Sequence, residues 1–408
     1  MAQHIPLLTL EAQIKRSLRA HLRRLGFQKT AHGLLLPPDD LKESIRALHR
    51  AQRDQRLVEE SKFVRSEWPL LKSHFANGSE VDVAKVAARI ELISADTWQS
   101  RLFRLASLTW SVPVSQGYGR RMRFLVWDDS NDRLIGLIAL GDPVFNLRVR
   151  DELVGWNADD RRKRLVNVLD AYVLGAVPPY SSLLSGKFVA CLVRTREIKQ
   201  AFSERYSKSR GIISGEAKHP SLVMVTTTSA LGRSSVYNRL ALGGIKYFKS
   251  VGFTSGWGHF HIPQKLFEKV RAYLEQRGHE YANKNRYGDG PNWRLRAIRH
   301  ALSEMGLDPK LLRHGIAREV FVCELSKNVR QFLSDKVKHP DFSDLLPIAE
   351  VSDLARRRWL EPRAQRRPEF RVWQKDLIRE ALLSSFALRR QQLKAVSTEG
   401  ESNVARKF

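Results

Sequence analysis

Cysteine is almost absent: the chain has two among 408 residues, Cys191 and Cys323, far apart in sequence. That excludes a disulfide-dense secreted scaffold and a cysteine-based zinc cluster, and it fits a reducing, cytoplasmic setting. Long apolar runs are missing too. The purest, Leu134 to Gly141, and the longest uncharged one, Ala171 to Gly186, interrupted by Pro178, Pro179 and serines, fall short of the roughly 18 apolar residues of a membrane span. The first residues hold one short apolar stretch broken by Pro6 and Thr9, with no small-residue cleavage site after it, so neither a signal peptide nor a membrane partner is expected. There is no Gly-x-x-x-x-Gly-Lys-Ser/Thr string for ATP, no Gly-x-Ser-x-Gly elbow, no His-Glu-x-x-His pair, and no repeat or heptad array. Acid is scarce as well. Against 70 Lys+Arg stand 43 Asp+Glu, a formal net charge of +27, and the isoelectric point lies near 10.4. With 42% hydrophobic residues the chain can bury a core, so the excess asks for a polyanionic partner, nucleic acid first and DNA foremost.

What is present falls into three segments. From Thr9 to Phe27, Leu10, Ile14, Leu18, Leu22 and Leu25 recur at helical spacing, with Thr9 placed to cap and Gly26 to stop the helix. Its other face carries Lys15, Arg16, Arg19, Arg23 and Arg24, which either lie along a phosphate backbone or are simply solvated. Asp39 and Asp40 are placed to cap a second helix through Ile45, and more helix is expected through Leu57 and Trp68, so residues 1–88 form a helical N-terminal region. Residues 89–335 show shorter apolar runs punctuated by Gly and Pro, the texture of an α+β core with a mixed central sheet. Arg123–Asp128 and Arg133–Leu140 predict a hairpin, apolar on both faces and therefore central. Asp159–Tyr172 predicts a helix, Tyr172–Val177 a strand, Leu183–Val193 a helix, Leu222–Thr226 and Val251–Thr254 strands, and Leu266–Arg277 and Leu295–Met305 helices. Residues 336–408 read as a basic helical tail, since 351–408 hold fourteen Lys/Arg against seven Asp/Glu.

Several groups are candidates for binding or chemistry. Arg120, Arg121 and Arg123 follow Gly117-Tyr118-Gly119, a flexible turn that can present guanidiniums to phosphate, unless they are solvated or pair with Asp128 and Asp129. From Thr226 to Ser235 six hydroxyls and Arg233 gather at the end of an apolar strand. Thr227, Thr228, Arg233, Ser234 and Ser235 suit a phosphate, with Tyr237 and Asn238 near a base; alternatively Ser234 or Ser235 caps the next helix. In an extended segment His259 and His261 face one way, as zinc ligands or an acid–base pair would, but no third ligand is indicated by spacing and no metal is expected. Asp142, at a strand end, is a candidate general base, or caps a turn or balances an arginine. Asn292, Arg294, His314 and Arg318 can line a phosphate groove. Trp110, Trp156, Trp257 and Trp293 either stack on bases or pack in the core.

Between about Ile90 and Leu333 the chain resembles the DruA family of the Druantia anti-phage defence system. The resemblance is carried by Trp110-Ser-Val-Pro-Val-Ser-Gln-Gly-Tyr-Gly-Arg-Arg121, Gly141-Asp-Pro-Val-Phe-Asn146 with Arg150-Asp151, and Asp170-Ala-Tyr-Val-Leu-Gly-Ala-Val-Pro-Pro-Tyr180. Further along it rests on Thr226–Ser229, Gly232–Asn238, Gly256-Trp-Gly-His-Phe-His261 and Gly290-Pro-Asn-Trp-Arg294. It implies a role in phage defence beside a helicase-like partner and other subunits. More distantly, the order of elements is similar to the acetyltransferase (GNAT-like) fold, a plan shared with phage Mom-like DNA-modification proteins. That fold would imply a coenzyme A derivative. Here its pyrophosphate turn reads Pro178-Pro-Tyr-Ser-Ser-Leu-Leu-Ser-Gly186, without the glycines that allow close backbone approach, and no cofactor is expected. The expected function is that of a DNA-binding subunit gripping phosphates with the arginine turn, the hydroxyl turn and the tail. The alternatives are a GNAT-like group transferase acting on nucleic acid or a phage component, with Thr226–Tyr237 and the pair His259 and His261 in its cleft and Asp142 as a further catalytic candidate, and a non-catalytic assembly scaffold.

Overall fold

A computed structural model describes residues 8–32, 35–36, 41–114, 119–208, 219–234, 236–259, 261–282 and 293–384. They belong to two compact units assembled from separated stretches: a larger one of Arg53–Ser229, Ser234–Gly252 and Val320–Phe408, and a smaller one of Met1–Gln52, Ala230–Arg233 and Phe253–Glu319. Among the described residues no helix is long and apolar enough to cross a membrane.

The larger unit is built on a seven-stranded mixed sheet. Its strands are β1 (Ala88–Leu92), β2 (Arg121–Asp128), β3 (Arg133–Gly141), β4 (Val168–Ala176), β5 (Met224–Thr228), β6 (Lys249–Phe253) and β7 (Glu319–Glu324), in spatial order β6-β7-β5-β4-β3-β2-β1. The hairpin of β2 and β3 pairs Arg121 with Gly141 and Asp128 with Arg133, as its apolar strands predict. Alternation sends Phe124 and Val126 to one face and Leu125 and Trp127 to the other. The first face packs on the helices Ser185–Leu192 and Ile348–Ala355, the second on Ser61–Leu71 and Trp98–Ser107.

One element differs from its local pattern. The helix expected over Asp159–Tyr172 ends at Arg164, capped at its start by Asn157, and after a turn at Leu165–Asn167 the chain becomes β4. Local spacing suits either form there, and pairing decides it: β4 lies antiparallel to β3 on one side and parallel to β5 on the other. The parallel pairing is brief. It covers Val168↔Met224, Leu169↔Val225 and Asp170↔Thr226, after which Thr227 Oγ1 donates to the Ala171 carbonyl at 2.8 Å; the other edge of β5 pairs with β7 over its full length, Met224–Thr228.

The C-terminal segment is less free than its arginines suggest. Val351, Ala355, Trp359, Leu360 and Phe370 join one core, and Ile378 and Leu382, in the helix over 376–384, join the other. Arg356 bonds Asp353 and Glu361, Arg357 bonds Asp353, and Arg367 bonds Glu369.

Helices dominate the smaller unit. Leu10–Arg24 starts where Thr9 Oγ1 accepts the Ala12 amide at 3.2 Å, and stops at Gly26, φ +78°, where the Phe27 amide reaches back to the Leu22 carbonyl. Ile14, Leu18 and Leu22 are buried with Leu266, Val270 and Leu274 of Gln264–Gln276 and with Ile298 and Leu302 of Trp293–Glu304. Each such side chain stabilises by about 1.5–3 kcal/mol. A two-residue strand pair, Gln28–Lys29 with Leu35–Leu36, adds to the helical N-terminal region. The helix Leu41–Glu59 follows, burying Ile45; its expected caps Asp39 and Asp40 lie outside the described residues.

Candidate functional site

In the larger unit a buried carboxyl and a hydroxyl meet where β4 and β5 part. Asp170 is the last residue of β4 paired with β5, and Thr226 Oγ1, across from it, donates to its Oδ1 at 2.6 Å. Burial pushes the Asp170 carboxyl up to about 6, against the pull of the Thr226 hydrogen bond and of nearby Arg150. Opposite Asp170 on β3 stands Gly141; a Cβ there would meet the Tyr172 ring at 3.1 Å. Tyr237 packs between Phe248 and Phe321, at ring distances of 4.9 and 5.2 Å, and burial pushes its phenol up to about 12. A carboxyl that titrates near neutrality beside a hydroxyl can take or give a proton. Asp170 was not among the sequence candidates; the one signal was a charge inside an otherwise apolar strand.

The glycine-arginine turn places its cations differently. Arg120 donates to Asp142 Oδ1 at 2.8 Å, to the Val166 carbonyl at 2.7 Å and to the Val168 carbonyl at 3.4 Å, while its amide reaches Asp142 Oδ2 at 2.9 Å. Arg120 and Asp142 thereby tie the end of β3 to the entry of β4. Gly119, at φ +64°, is required there, since a Cβ would fall 2.0 Å from Asp142 Oδ2. Arg121 is exposed, and Arg123 lies half-buried over the Phe103 ring, 5.7 Å away. Gly117 and Tyr118 are outside the described residues. Beside this cluster Arg150 is fully buried, donating to Asp151 and to the carbonyls of Val144 and Phe145, with Arg161 completing the network on Asp151.

The hydroxyl turn is divided. In the larger unit, Thr226 and Thr227 are buried and bonded as described, Thr228 is half-buried, and Ser234 Oγ accepts the amides of Val236 and Tyr237 at 3.2 Å, capping the turn Tyr237–Arg239. In the smaller unit, Arg233 is exposed. Ser235 lies outside the described residues. The Pro178–Gly186 segment does not fit a pyrophosphate cradle. Tyr180 is fully buried and its hydroxyl donates to Asp128 Oδ2 at 2.8 Å, Ser185 is fully buried, and the prolines offer no amide donors.

The smaller unit holds the histidines. His261 is buried, its Nε2 donating to the Leu311 carbonyl at 3.0 Å, and its ring meets that of buried His314 at 5.7 Å. Burial, aided by nearby charged groups, pulls His259 and His261 down to about 4 and His314 to about 3, so all three are neutral at pH 7. Among the described residues no group of three His, Cys, Asp or Glu is placed to hold a metal. Arg294 donates to the Ile262 carbonyl at 2.7 Å and to Gln264 at 2.8 Å. Arg318 is half-buried beside Thr254, whose hydroxyl accepts its amide. Asn292 lies outside the described residues. On the helix Leu10–Arg24, by contrast, Arg16, Arg19, Arg23 and Arg24 are all exposed on the side opposite Ile14, Leu18 and Leu22. That helix's single acid, Glu11, is paired with Lys15 at 2.7 Å, and among the described residues no carboxylate pairs with the four arginines.

The model of a family described as Druantia protein DruA matches residues 39–335. The chain belongs to the DruA family. A DruA relative from Escherichia coli (strain UMEA 4076-1), described as Druantia protein DruA, is 50% identical over 363 residues, 89% of this chain and 90% of that protein. Asp170, Thr226 and the histidine loops lie inside the DruA match, whereas the helix Leu10–Arg24 precedes it. As a DruA protein the chain is a component of a Druantia anti-phage system. No solved structure matches it.

Proposed function

We propose that this chain is the nucleic-acid-binding subunit of its Druantia system and holds DNA by its phosphates along the arginine face of the helix Leu10–Arg24. The observation that carries this is the exposed row Arg16, Arg19, Arg23 and Arg24, at i, i+3, i+7 and i+8 on one side of one helix. The row covers about 12 Å of helix axis, and duplex DNA carries a charge every ~1.7 Å. The net charge of +27 supports the same partner class. Energy transduction falls to a helicase-like partner in the same system.

The test is the affinity of the full chain for a labelled duplex between about 50 and 200 mM salt, where log K falls by ~0.9 per phosphate contact for each unit of log salt. A steep loss is expected. Absent or salt-independent binding overturns the proposal and leaves the basic face to an acidic protein partner, as in a scaffold.

One observation favours a second function, group transfer onto nucleic acid or a phage component: the Asp170–Thr226 pair at the parting of β4 and β5. Asp170 would take the proton that an amine or hydroxyl loses as it bonds to the acyl carbon of an acyl donor, whose carrier leaves with the electron pair of the broken bond. In the complete defence system Asp170→Asn then abolishes protection while duplex affinity is retained; full protection by Asp170→Asn rules this function out.

A further inference from the structure

Of the four tryptophans set among glycines and polar residues, three are used inside the fold. Trp156 is buried with its Nε1 donating to the Leu333 carbonyl, Trp293 donates to the Tyr281 carbonyl and packs on Phe267, and the Trp110 ring lies against Gly175. Trp257 is different: it is 40% exposed.

Its mount is rigid. The segments 254–258 and 312–318, both in the smaller unit, are joined by the amides of Gly258 to the Leu312 carbonyl at 3.0 Å, Gly315 to the Gly256 carbonyl at 3.2 Å, and Thr254 to the Arg318 carbonyl at 2.9 Å. Gly256, at φ +65°, allows the approach, since a Cβ there would lie 2.9 Å from the Gly315 carbonyl carbon. Within this ladder Trp257 and Arg313 form an antiparallel bridge. Residues directly opposite in such a bridge project to the same face, with Cβ atoms about 4.5–5.5 Å apart. Arg313 is exposed. Beneath them the buried His314 ring accepts the Ile316 amide at its Nδ1 and is neutral, so it does not repel the arginine. An exposed indole on a backbone ladder, with an exposed arginine opposite it on the same face, is the combination that receives an unpaired base and its phosphate.

We propose that Trp257 and Arg313 form a stacking site for an unpaired nucleobase, the indole carrying the base and the guanidinium meeting the adjoining phosphate. This rests on the nucleic-acid-binding function proposed above and names single-stranded or unpaired nucleic acid as the ligand class of this one site.

The experiment titrates the full chain with oligothymidylate and with a blunt duplex, reading affinity, salt dependence and tryptophan fluorescence. Trp257→Ala is expected to weaken oligothymidylate binding by roughly 5- to 150-fold, the range of base–aromatic stacking, while the salt slope and duplex affinity stay within twofold. Trp257→Phe restores most of the loss, and Arg313→Gln lowers the salt slope by about one contact. Oligothymidylate quenches the wild-type fluorescence more than that of Trp257→Phe, a comparison that holds even if the alanine variant folds poorly. Unchanged oligothymidylate affinity and equal quenching in the Trp257 variants, with salt-dependent duplex binding intact, overturn the stacking site alone. If the wild type binds neither oligonucleotide, the underlying function falls as well.

Discussion

The two units handle charge in opposite ways. In the larger one, buried or half-buried cations meet carboxylates and carbonyls: Arg150 with Asp151, Arg120 with Asp142, Arg194 with Asp344 at 2.5 Å. In the smaller one the buried titratable rings are neutral histidines, and four arginines of one helix face solvent. Composition agrees, since the smaller unit holds 22 Lys/Arg against 11 Asp/Glu and the larger 48 against 32. Net charge alone therefore does not say which cations face solvent. Much of the larger unit's basicity holds the fold together, whereas the smaller unit presents its excess outward.

The sharpest break of that contrast is Arg150→Ala. It leaves Asp151 buried without its main counter-ion and should cost about 3–5 kcal/mol, read by denaturant unfolding and by faster amide exchange in β3 and β4. A change within 0.5 kcal/mol would mean the network is not structural.

Next in size is Asp170→Asn. The folded carboxyl titrates at about 6, above its unfolded value near 3.9, so the native state holds its proton more tightly. Its stabilising contribution is complete below pH ~3.9 and is lost as pH rises through about 6. Asp170→Asn should therefore raise stability by on the order of 1–3 kcal/mol at pH 8 and change it little at pH 4; equal effects at both pH values would remove the raised carboxyl from the account.

The histidines of the smaller unit carry the opposite sign. His259, His261 and His314 are depressed in the folded chain, so the unfolded state gains protons first as pH falls below ~6.5. Stability is lost from there down towards the folded values, by on the order of 1–2 kcal/mol per ring at pH 5. Amide exchange in the helix Gln264–Gln276 should accelerate between pH 6.5 and 5 beyond the intrinsic pH effect, and His314→Asn should blunt the change. Acid-independent protection would show these rings to be ordinary surface histidines.

Local signals carried far in some places. Thr9 and Gly26 mark the ends of the first helix, and the apolar runs around Asp129–Asp132 mark the β2–β3 hairpin, because capping and alternation act over a few residues. Tyr172–Ala176 of β4 follows the expected strand, whereas Val168–Ala171 lies in the stretch expected as helix, because the form of those residues depends on β3 and β5 beside them. Asp170 has the same origin: its partner Thr226 is 56 residues away. Glycine-flanked Arg120 suggests a phosphate fork, yet its donors meet carbonyls 46 and 48 residues on. The exposure of Trp257 likewise depends on pairing with Arg313.

The most direct test compares two quadruple variants of the full chain that remove equal charge. One is Arg16→Gln, Arg19→Gln, Arg23→Gln and Arg24→Gln; the other is Arg356→Gln, Arg357→Gln, Arg363→Gln and Arg367→Gln, of which Arg356, Arg357 and Arg367 bond carboxylates of the tail and Arg363 bonds the Ser182 carbonyl. The first should lower the salt slope of duplex binding by about 3–4 with little change in stability, and the second by less than about one while lowering the melting temperature. Equal losses, or a loss confined to the tail variant, would contradict the account.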